Sequence, residues 1–378
     1  MFNFNDMSTA HIIYWNYLTP SGDHLSIGGI QTYITNLIEV LIGIGYGATV
    51  YQRGDQDFHI TINSSTDVYG IKRSVDKKKG FNKILYDFVK KKINSNRGDI
   101  VIFASEELIV ETDRSVPVFA IQHGISWDVP EKCLSTRRYL FRYLKKQYDA
   151  YRKAQQIKKV NHLICVDCNF INWYKALVPY PQVNLHYIPN FSALPKGPIV
   201  KPPVSKGTNI IFARRLFEKR GTRLFMAVAK RILEEYPLVS ITIAGEGPDE
   251  RLLRDNLAYY SHVRFIRYDS NDSLQVHSDM HIAVIPTIGS EGTSLSLLEA
   301  MAAGCAVVCT NVGGMTNVVI DGYNGLLITP NEDELYHSIK RLLDNDIERQ
   351  EIAKRGYESI VSSFSFDKWR NSWRRVLK

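Results

Sequence analysis

The sequence predicts an α/β protein built from two tandem Rossmann-like domains that face each other across a central cleft. Short apolar runs alternate with longer helix-like segments along most of the 378 residues, as strands joined by crossover helices do in a parallel sheet. This rhythm stops at residues 192–208, which hold four of the fourteen prolines, and then starts again. We therefore expect a first domain at 1–191, a linker at 192–208 and a second domain at 209–364.

Six short apolar runs in the first half have the length and composition of buried strands. They lie at 11–16, 48–52, 99–105, 118–124, 162–167 and 184–190. The segment between the first two runs places Ile30, Ile34, Leu37 and Leu41 on one side of a helix. Strand, helix and strand in this order predict a right-handed crossover between parallel strands.

The second half repeats this pattern. Its strand-like runs lie at 209–215, 240–247, 263–268, 282–287, 306–311 and 325–329. Ligands of open parallel sheets bind beyond the carboxyl ends of the strands. Two facing sheets of this kind therefore predict a ligand-binding cleft between the domains.

The composition is that of a folded protein with a basic excess. Hydrophobic residues make up 44% and charged residues 23%, which excludes a disordered or low-complexity chain. The 47 Lys and Arg outnumber the 39 Asp and Glu by 8, and two stretches, 71–97 and 131–160, are each +8, so the rest of the chain is mildly acidic. Basic stretches of this kind are typical of proteins that bind phosphates, nucleic acids or anionic lipids, or they are simply solvated helix faces.

The five cysteines are too few and too scattered for a disulfide framework, so we expect a reducing compartment. Cys165 and Cys168 form one CxxC pair without a second ligand pair, and we interpret them as core or helix-start residues. The first residues show neither a basic nor an apolar leader, and no apolar run approaches ~18 residues. These observations predict a cytoplasmic protein, or one on the cytoplasmic face of a membrane.

The most specific stretch is EGTSLSLLEAMAAG at 291–304, with Glu291 and Glu299 eight residues apart. On a helix this spacing separates two side chains by roughly 12 Å, whereas a glycosidase carboxylate pair lies ~5–9.5 Å apart. The two acids are therefore better placed to hold opposite ends of one extended ligand. The backbone amides of Thr293, Ser294 and Leu295, at the predicted helix start, suit an anion.

This stretch, together with IAGEGPD at 243–249, AVVCTNVGG at 306–314 and DGYNGLLITP at 321–330, resembles the donor-binding domain of the family 4 glycosyltransferases. These are retaining, metal-independent enzymes of the GT-B fold, so the resemblance implies neither a metal nor another cofactor. It implies that Glu291 contacts the donor sugar and that Glu299 holds the nucleotide ribose. The frequent Gly-Phe-Gly after the first Glu is replaced here by Gly292, Thr293 and Ser294. The same resemblance includes Gly245 among the donor-binding residues.

A cationic segment, FARRLFEKRG at 212–221, aligns with the family's diphosphate-binding loop. The resemblance implies that Arg215 is one cation and that Arg220 takes the place of the usual Lys. Lys219 lies beside it, and the sequence leaves open which of the two points inward. A guanidinium binds phosphate in bidentate fashion, so Arg is chemically suitable at this position.

Two features of the first half also match the family. Gly28 and Gly29 separate a strand from a helix and leave backbone amides free for the diphosphate. The resemblance implies that His123, after the run VFAIQ, contacts the donor sugar, although a lone His at a strand end is more often structural. Asn190 has both a binding and a structural interpretation, and the Asp55 to Asp57 motif lacks the context of a metal site.

The basic segments 77–92 and 137–159 interleave cations with aromatic and aliphatic residues. We expect them to line a surface approached by a lipid-linked or polyanionic acceptor at an anionic membrane, and solvated helix faces remain the alternative. We expect no nucleic-acid partner, because the sequence contains no recognised nucleic-acid-binding motif. The terminal segment 365–378 resembles the family's last helix, which packs back on the first domain.

The sequence thus predicts a glycosyltransferase that uses a nucleotide diphosphate sugar, with a UDP-linked hexose or N-acetylhexosamine favoured. The acceptor would be a hydroxyl of a surface glycan, such as lipopolysaccharide or capsule, or of a lipid-linked saccharide. A nucleotide-sugar epimerase on the same fold is the alternative. A protein that binds nucleic acid or an anionic surface without catalysis is less favoured.

Overall fold

A computed structural model describes residues 7–26, 28–73, 80–124, 136–269, 272–289 and 291–378, without the side chains of 136–139 and 206. The chain divides into two compact units. The first contains the described residues up to His123, those from 136 to Ile188, and Arg370–Lys378. The second contains Gly124 and Pro189–Trp369. Among the helices of these ranges, none combines the length and apolar character that a membrane span requires.

The first unit is a mostly parallel sheet of eight strands in the order β3-β4-β2-β1-β5-β6-β7-β8. The strands are β1 (Thr9–Ile13), β2 (Gly47–Gly54), β3 (Phe58–Asn63), β4 (Thr66–Lys72), β5 (Ile100–Phe103), β6 (Val118–Gln122), β7 (His162–Cys165) and β8 (Asn184–Tyr187). The helices within it are α1 (Gly29–Ile42), α2 (Phe81–Lys90), α3 (Thr136–Ile157) and α4 (Cys168–Leu177). All six predicted runs form strands of this sheet.

The pattern of apolar runs does not predict the hairpin formed by β3 and β4 in the first unit. Strand β3 is the edge strand, pairs antiparallel with β4 and is largely exposed, so its sequence FHITIN lacks a buried apolar run. In the turn before it, Asp57 accepts the backbone N–H of Lys72 at 2.6 Å. The Asp55 to Asp57 motif therefore belongs to the turn that connects β2 to β3.

The second unit is an all-parallel sheet of six strands in the order β11-β10-β9-β12-β13-β14. The strands are β9 (Asn209–Ala213), β10 (Ser240–Ala244), β11 (Val263–Ile266), β12 (Ile282–Ile285), β13 (Ala306–Thr310) and β14 (Leu326–Ile328). The helices are α5 (Thr222–Glu235), α6 (Glu250–Leu257), α7 (Ser273–Ser278), α8 (Leu295–Ala302), α9 (Glu332–Asp344) and α10 (Asp346–Ser359). Two Rossmann-like sheets confirm the predicted fold class.

Strand order in the second sheet reverses between β9 and β12. The chain runs outward from β9 through β10 to β11, and then returns to the other side of β9 with β12. Crossovers on the two sides diverge at such a point and leave a crevice beyond the carboxyl ends of the two central strands. The loops after β9 and β12 carry the cationic segment and Glu291, so the topology brings these two sequence motifs together.

Alternate residues of the central strands face opposite sides of the sheet. Ile210 and Phe212 of β9 pack in one buried cluster, and Ile211 and Ala213 pack in another. Burial on both faces produces the continuous apolar runs that identified these strands. The core therefore holds the strand ends, and the loops that follow them, in fixed positions.

Segment 192–208, expected to be a linker, follows the surface of the second unit. The Lys201 ammonium donates to the carbonyl oxygens of His277 at 3.0 Å and Ser278 at 2.8 Å. The Pro202 carbonyl accepts from His281 Nε2 at 2.9 Å. These contacts attach the segment to the loop between α7 and β12.

The last helix, α11 (Phe366–Leu377), contributes to the core of the first unit from Arg370 onward. The Trp373 side chain is fully buried, and its Nε1 donates to the Tyr33 hydroxyl on α1 at 3.0 Å. The two rings meet edge to face, with centroids 6.3 Å apart. Trp373 therefore fixes the end of the chain against α1.

Replacing Trp373 by Ala should lower the free energy of unfolding by about 3–5 kcal/mol, because a large buried ring leaves a cavity. Tyr33→Phe removes only the hydrogen bond and should cost about 1 kcal/mol. Asn371→Ala, at an exposed position of the same helix, is the control and should stay within about 0.5 kcal/mol of the wild type. Urea unfolding followed by circular dichroism checks all three. Equal stability of the Trp373 variant and the control would contradict this packing.

Candidate active site

Glu291 lies in the loop after β12 and is the centre of a buried charge cluster. Its Oε2 accepts from Arg214 Nη2 at 2.9 Å and from Thr287 Oγ1 at 3.2 Å, and it also pairs with Arg220 Nη1. Arg214 Nη1 donates to Thr287 Oγ1 at 2.6 Å, so the guanidinium bridges both groups. The side chains of Arg214 and Glu291 are only 4% and 11% exposed, against 20% for Arg220.

The two guanidiniums stay charged at neutral pH. Burial lowers the pKa of Arg214 to about 10. Burial, with repulsion from Arg214 and Arg215, lowers the pKa of Arg220 to about 9. Two positive charges around one carboxylate leave a net positive site, which attracts an anion such as a diphosphate.

The cationic residues predicted from sequence lie in two different environments. Arg215 and Lys219 are exposed, whereas Arg220 turns toward Glu291. Arg214, which the sequence analysis did not select, is the most buried of the four. The sequence signal for it was the Arg-Arg pair directly after a buried strand, since neighbouring side chains there point in different directions.

Two glycines permit the close loop contacts around this cluster. Gly221 has φ +80°, and a Cβ there would overlap the carbonyl oxygen of Pro286 on the neighbouring loop. Gly313 has φ +53°, and a Cβ there would overlap the carbonyl oxygen of Glu291 itself. Residues with a side chain are strained at such φ values, so both positions require glycine. Gly245 follows β10, and a Cβ there would overlap the carbonyl oxygen of Arg214.

The segment between Glu291 and α8 is tightly packed. Gly292, Thr293 and Ser294 are buried. The Glu291 carbonyl accepts from Gly314 N at 3.2 Å, and the Thr293 carbonyl accepts from the Asn190 side-chain amide at 2.7 Å. Asn190 therefore has a structural contact that holds this segment.

Ser294 is the N-cap of α8, and Leu295 is the first residue of the helix. The Ser294 side chain makes no capping hydrogen bond, while its carbonyl accepts from Leu298 N at 3.1 Å. The first amides of a helix have no acceptor within it and suit an anionic group. The predicted helix start thus lies directly after Glu291.

Glu299 lies on α8 in surroundings unlike those of Glu291. Burial raises its pKa, and the nearby Ser273 hydroxyl acts in the opposite direction. Burial, together with the charge of Glu299, also raises the pKa of Tyr268 after β11. Glu291 is paired with guanidiniums, whereas Glu299 faces hydroxyl groups, so the two acids are suited to different parts of a ligand.

In the first unit, the predicted glycine pair begins α1. Gly28 is the N-cap, and its carbonyl accepts from Thr32 N at 3.1 Å. Gly29 is the first helical residue, and no side chain caps this helix. The arrangement matches the predicted strand, glycine pair and helix.

His123 follows β6 and is held as a neutral imidazole. Its Nε2 lies 2.8 Å from the Ala104 carbonyl, which can only accept, so Nε2 carries the proton and Nδ1 is an acceptor. Burial lowers the pKa of His123 to about 4. The ring also meets Tyr33 edge to face, with centroids 5.2 Å apart. A neutral His with a free acceptor nitrogen is suited to receive a sugar hydroxyl.

Glu106, just after β5, is a buried acid that the sequence analysis did not select. Burial raises its pKa to about 7, while Lys153 on α3 and the backbone N–H of His123 act in the opposite direction. The Lys153 ammonium lies 3.9 Å from Glu106 Oε1. The only signal in the sequence was an acidic pair directly after a buried strand.

Across the described residues, no group of three or more His, Cys, Asp or Glu is arranged to hold a metal ion. Cys165 is buried at the end of β7, and Cys168 begins α4, where Asp167 caps the helix through Asn169 N at 2.9 Å. The CxxC pair therefore consists of one core and one helix-start residue, as predicted.

The buried His123 should make folding sensitive to acid. Its folded pKa lies below that of free imidazole, so its contribution to stability is complete above pH 6.5 and is lost as the pH falls toward 4. The wild type should therefore lose about 2–3 kcal/mol more than His123→Gln between pH 7 and 4.5. Urea unfolding at the two pH values measures this difference. Glu106 titrates in both proteins and cancels, and equal losses would contradict a buried neutral His123.

Residues 200–359 match the family model described as "Glycosyl transferases group 1". An uncharacterized glycosyltransferase of Methanocaldococcus jannaschii, MJ1178, is 25% identical over 387 residues, which cover 97% of this chain and 99% of that protein. The phosphatidylinositol N-acetylglucosaminyltransferase gpi3 subunit of Schizosaccharomyces pombe is 26% identical over 219 residues, or 55% of this chain and 46% of that protein. The first curated relatives are matched over about two-fifths of their length, 41% in each case.

Among solved structures, HepE of Anabaena in complex with UDP and glucose has a TM-score of 0.71 at 14% identity, covering 98% of this chain and 99% of that one. At this level of identity the likeness concerns the fold, and it agrees with the two parallel sheets. The match to the family model thus lies within the second unit, the full-length relative is itself described as a glycosyltransferase, and the solved structure shares the fold of two parallel sheets.

Proposed function

We propose that this protein is a retaining, metal-independent glycosyltransferase of family 4. It transfers a hexose or N-acetylhexosamine from a UDP-sugar to a hydroxyl of a surface-glycan or lipid-linked saccharide acceptor. The observation that carries the proposal is the Glu291 carboxylate, held through Oε2 by Arg214 and Arg220 at the switch point of the second sheet. Its Oε1 has no hydrogen-bond partner among the described residues and is free to accept from a sugar hydroxyl.

The proposed donor site in the second unit separates three tasks. Glu291 orients the sugar, the exposed Arg215 and the half-buried Arg220 neutralise the diphosphate, and Glu299 accepts the ribose hydroxyls. The amides from Gly292 to Leu295 add donors for the anion. In the first unit, we assign the Gly28 and Gly29 amides to the diphosphate and His123 to a sugar hydroxyl.

Glu291 is a poor nucleophile in this arrangement. A carboxylate gains reactivity from its negative charge, and two guanidiniums at Oε2 withdraw that charge. We therefore assign retention to a front-face substitution. The bond between the anomeric carbon and the leaving phosphate breaks, and the acceptor oxygen forms its bond on the same face. The acceptor proton passes to a leaving-phosphate oxygen, whose developing charge the cations stabilise.

Glu299→Gln and Glu291→Gln should separate binding from catalysis. Glu299→Gln weakens the proposed ribose contact and should lower UDP affinity at least tenfold, since a hydrogen bond to a charged group contributes about 1.5–3 kcal/mol. Glu291→Gln should bind UDP within threefold of the wild type but lose at least a hundredfold in transfer. Isothermal titration with UDP and a transfer assay measure the two effects, with Glu332→Gln at an exposed position of α9 as the control.

Wild-type affinity and turnover in both variants would contradict the site assignment. Consumption of UDP-sugar without any acceptor, with an inverted ring carbon in the product, would favour the epimerase alternative instead. A proton NMR spectrum of the product distinguishes retention from inversion at the anomeric carbon.

Helix α3 supports the proposed contact with an anionic membrane. Its exposed side chains include Phe141, Leu144 and Tyr148, which are 71%, 58% and 61% exposed and follow one another at helical spacing. Arg142 and Lys145 flank them and are also exposed. An exposed apolar and aromatic strip with flanking cations is typical of helices that lie at a lipid surface.

The other basic segment, 77–92, differs from α3. Residues 77–79 lie outside the described residues, and α2 buries its apolar side chains Phe81, Leu85, Tyr86 and Val89. Its exposed side chains are Lys83, Asp87, Lys90 and a single apolar residue, Ile84, so α2 has no exposed apolar strip like that of α3, and we assign to it a contribution of charge. For segment 137–159, the side chains of 137–139 also lie outside the described residues.

The triple variant Arg142→Gln, Lys145→Gln, Arg152→Gln should bind anionic vesicles at least tenfold more weakly, because each cation near a lipid surface contributes about 1 kcal/mol. Flotation with phosphatidylglycerol and phosphatidylcholine vesicles measures this. The matched control changes three exposed lysines elsewhere, Lys175, Lys196 and Lys354, to Gln. Failure of the wild type to float, or an equal loss in the control, would contradict a lipid-binding face on α3.

A further inference from the structure

A cavity of about 490 Å³ lies within the first unit, and its lining contains none of Gly28, Gly29 and His123. It opens beyond the carboxyl ends of β1, β2 and β4, where the first residues of α2 close one side. The described side chains that line it include the polar or charged Trp15, Arg53, Arg73, Asn82 and Lys83 and the apolar Phe81 and Val110. The volume suits one or two sugar rings, and its location is the ligand-binding edge of a parallel sheet.

Among the described residues, the lining carries three cations and no acid. Arg53 donates through Nε to the Asn16 side-chain oxygen at 2.5 Å, and its Nη groups have no partner among the described residues. No carboxylate of the described chain pairs with Arg73 or Lys83 either. Three like charges around one cavity repel one another, and an anion that enters the cavity relieves that repulsion.

Two cations near the cavity, Lys90 and Lys92, do have protein partners. Lys90, two turns further along α2, forms an ion pair with Asp113 at 3.0 Å. Lys92 lies over the Tyr69 ring, 4.2 Å from its centroid. Lys90 and Lys92 thus have protein partners, whereas no carboxylate among the described residues pairs with Arg53, Arg73 or Lys83.

Trp15 adds a fixed aromatic surface. Its Nε1 donates to Asn82 Oδ1 at 2.8 Å, and the Asn82 amide in turn donates to the Glu107 carbonyl at 2.9 Å. Both polar functions of Asn82 are therefore used to orient the indole. An indole held in one position offers a flat apolar surface against which the C–H face of a sugar ring packs.

We propose that this cavity binds an anionic saccharide, a sugar that carries a phosphate or a carboxylate, as the acceptor of the transfer. That the ligand is the acceptor rests on the proposed function. That it is an anionic saccharide is inferred from the cavity alone. Arg53, Arg73 and Lys83 bind the anionic group, and Trp15 packs on the sugar ring. The proposed donor cations Arg215 and Arg220 belong to the second unit and form a separate set.

Titration calorimetry on the full chain tests the inference, with excess UDP present so that the donor site does not take up the probe. The probes are glucose, glucose 6-phosphate, glucuronate and inorganic phosphate. Glucose 6-phosphate or glucuronate should bind at least tenfold more tightly than glucose and than phosphate. The tighter of the two identifies the anionic group, and phosphate alone binding as tightly as both would overturn the saccharide part.

Two variants locate the binding. Arg73→Gln with Lys83→Gln should weaken the favoured probe at least tenfold, since a charge-assisted hydrogen bond contributes more than a neutral one. Lys175→Gln with Lys196→Gln removes the same charge from exposed positions elsewhere and should change the affinity less than twofold. Equal losses in both double variants, or no loss in the first, would overturn the cavity as the binding site.

These titrations, together with the separate titration of the wild type with UDP, separate this inference from the proposed function. Binding of UDP without binding of either anionic sugar would overturn the cavity proposal and leave the transferase proposal standing. Binding of an anionic sugar at the cavity, together with no affinity for UDP or UDP-sugars, would overturn the transferase proposal and keep the saccharide site.

Discussion

The Glu291 carboxylate is buried between two guanidiniums, and the geometry of the second unit's loops follows from that pairing. A buried carboxylate without partners costs several kcal/mol, so a cation must reach it from a neighbouring loop. Arg214 reaches it from the end of β9, which requires the loops after β9 and β12 to approach at backbone distance. Gly221 and Gly313 permit that approach, because a side chain at either position would overlap a carbonyl of the adjoining loop.

Positive charge is used differently in the two halves of the chain. Up to residue 190 there are 23 basic and 17 acidic residues, and beyond it 24 and 22, so the excess is +6 and +2. In the second unit, Arg214 and Arg220 pair with an internal acid. In the first, Arg53, Arg73 and Lys83 surround a cavity with no acid among its described lining residues. The larger excess thus coincides with cations that have no carboxylate partner among the described residues.

Strands buried on both faces could be predicted from sequence, because each produces an unbroken apolar run. Strand β3 could not, since an exposed edge strand keeps polar residues. The directions of the side chains just after the strands were harder to predict. Sequence places Arg214 and Arg215 side by side, but only the path of the loop after β9 decides which turns inward. In the same way, the tight turn at Glu218–Arg220 directs Arg220 rather than Lys219 toward Glu291.

The different burial of the two guanidiniums bears on how the proposed site could receive a diphosphate. Arg214 is almost fully enclosed and also donates to Thr287. If it moved away from Glu291, a buried charge would lose its partner, which is strongly unfavourable. Arg220 is more exposed and makes only one contact with Glu291. An arriving diphosphate can therefore share Arg220 while Arg214 keeps Glu291 ionised. The buried guanidinium maintains the geometry of the site, and the half-buried one provides charge that a ligand can use.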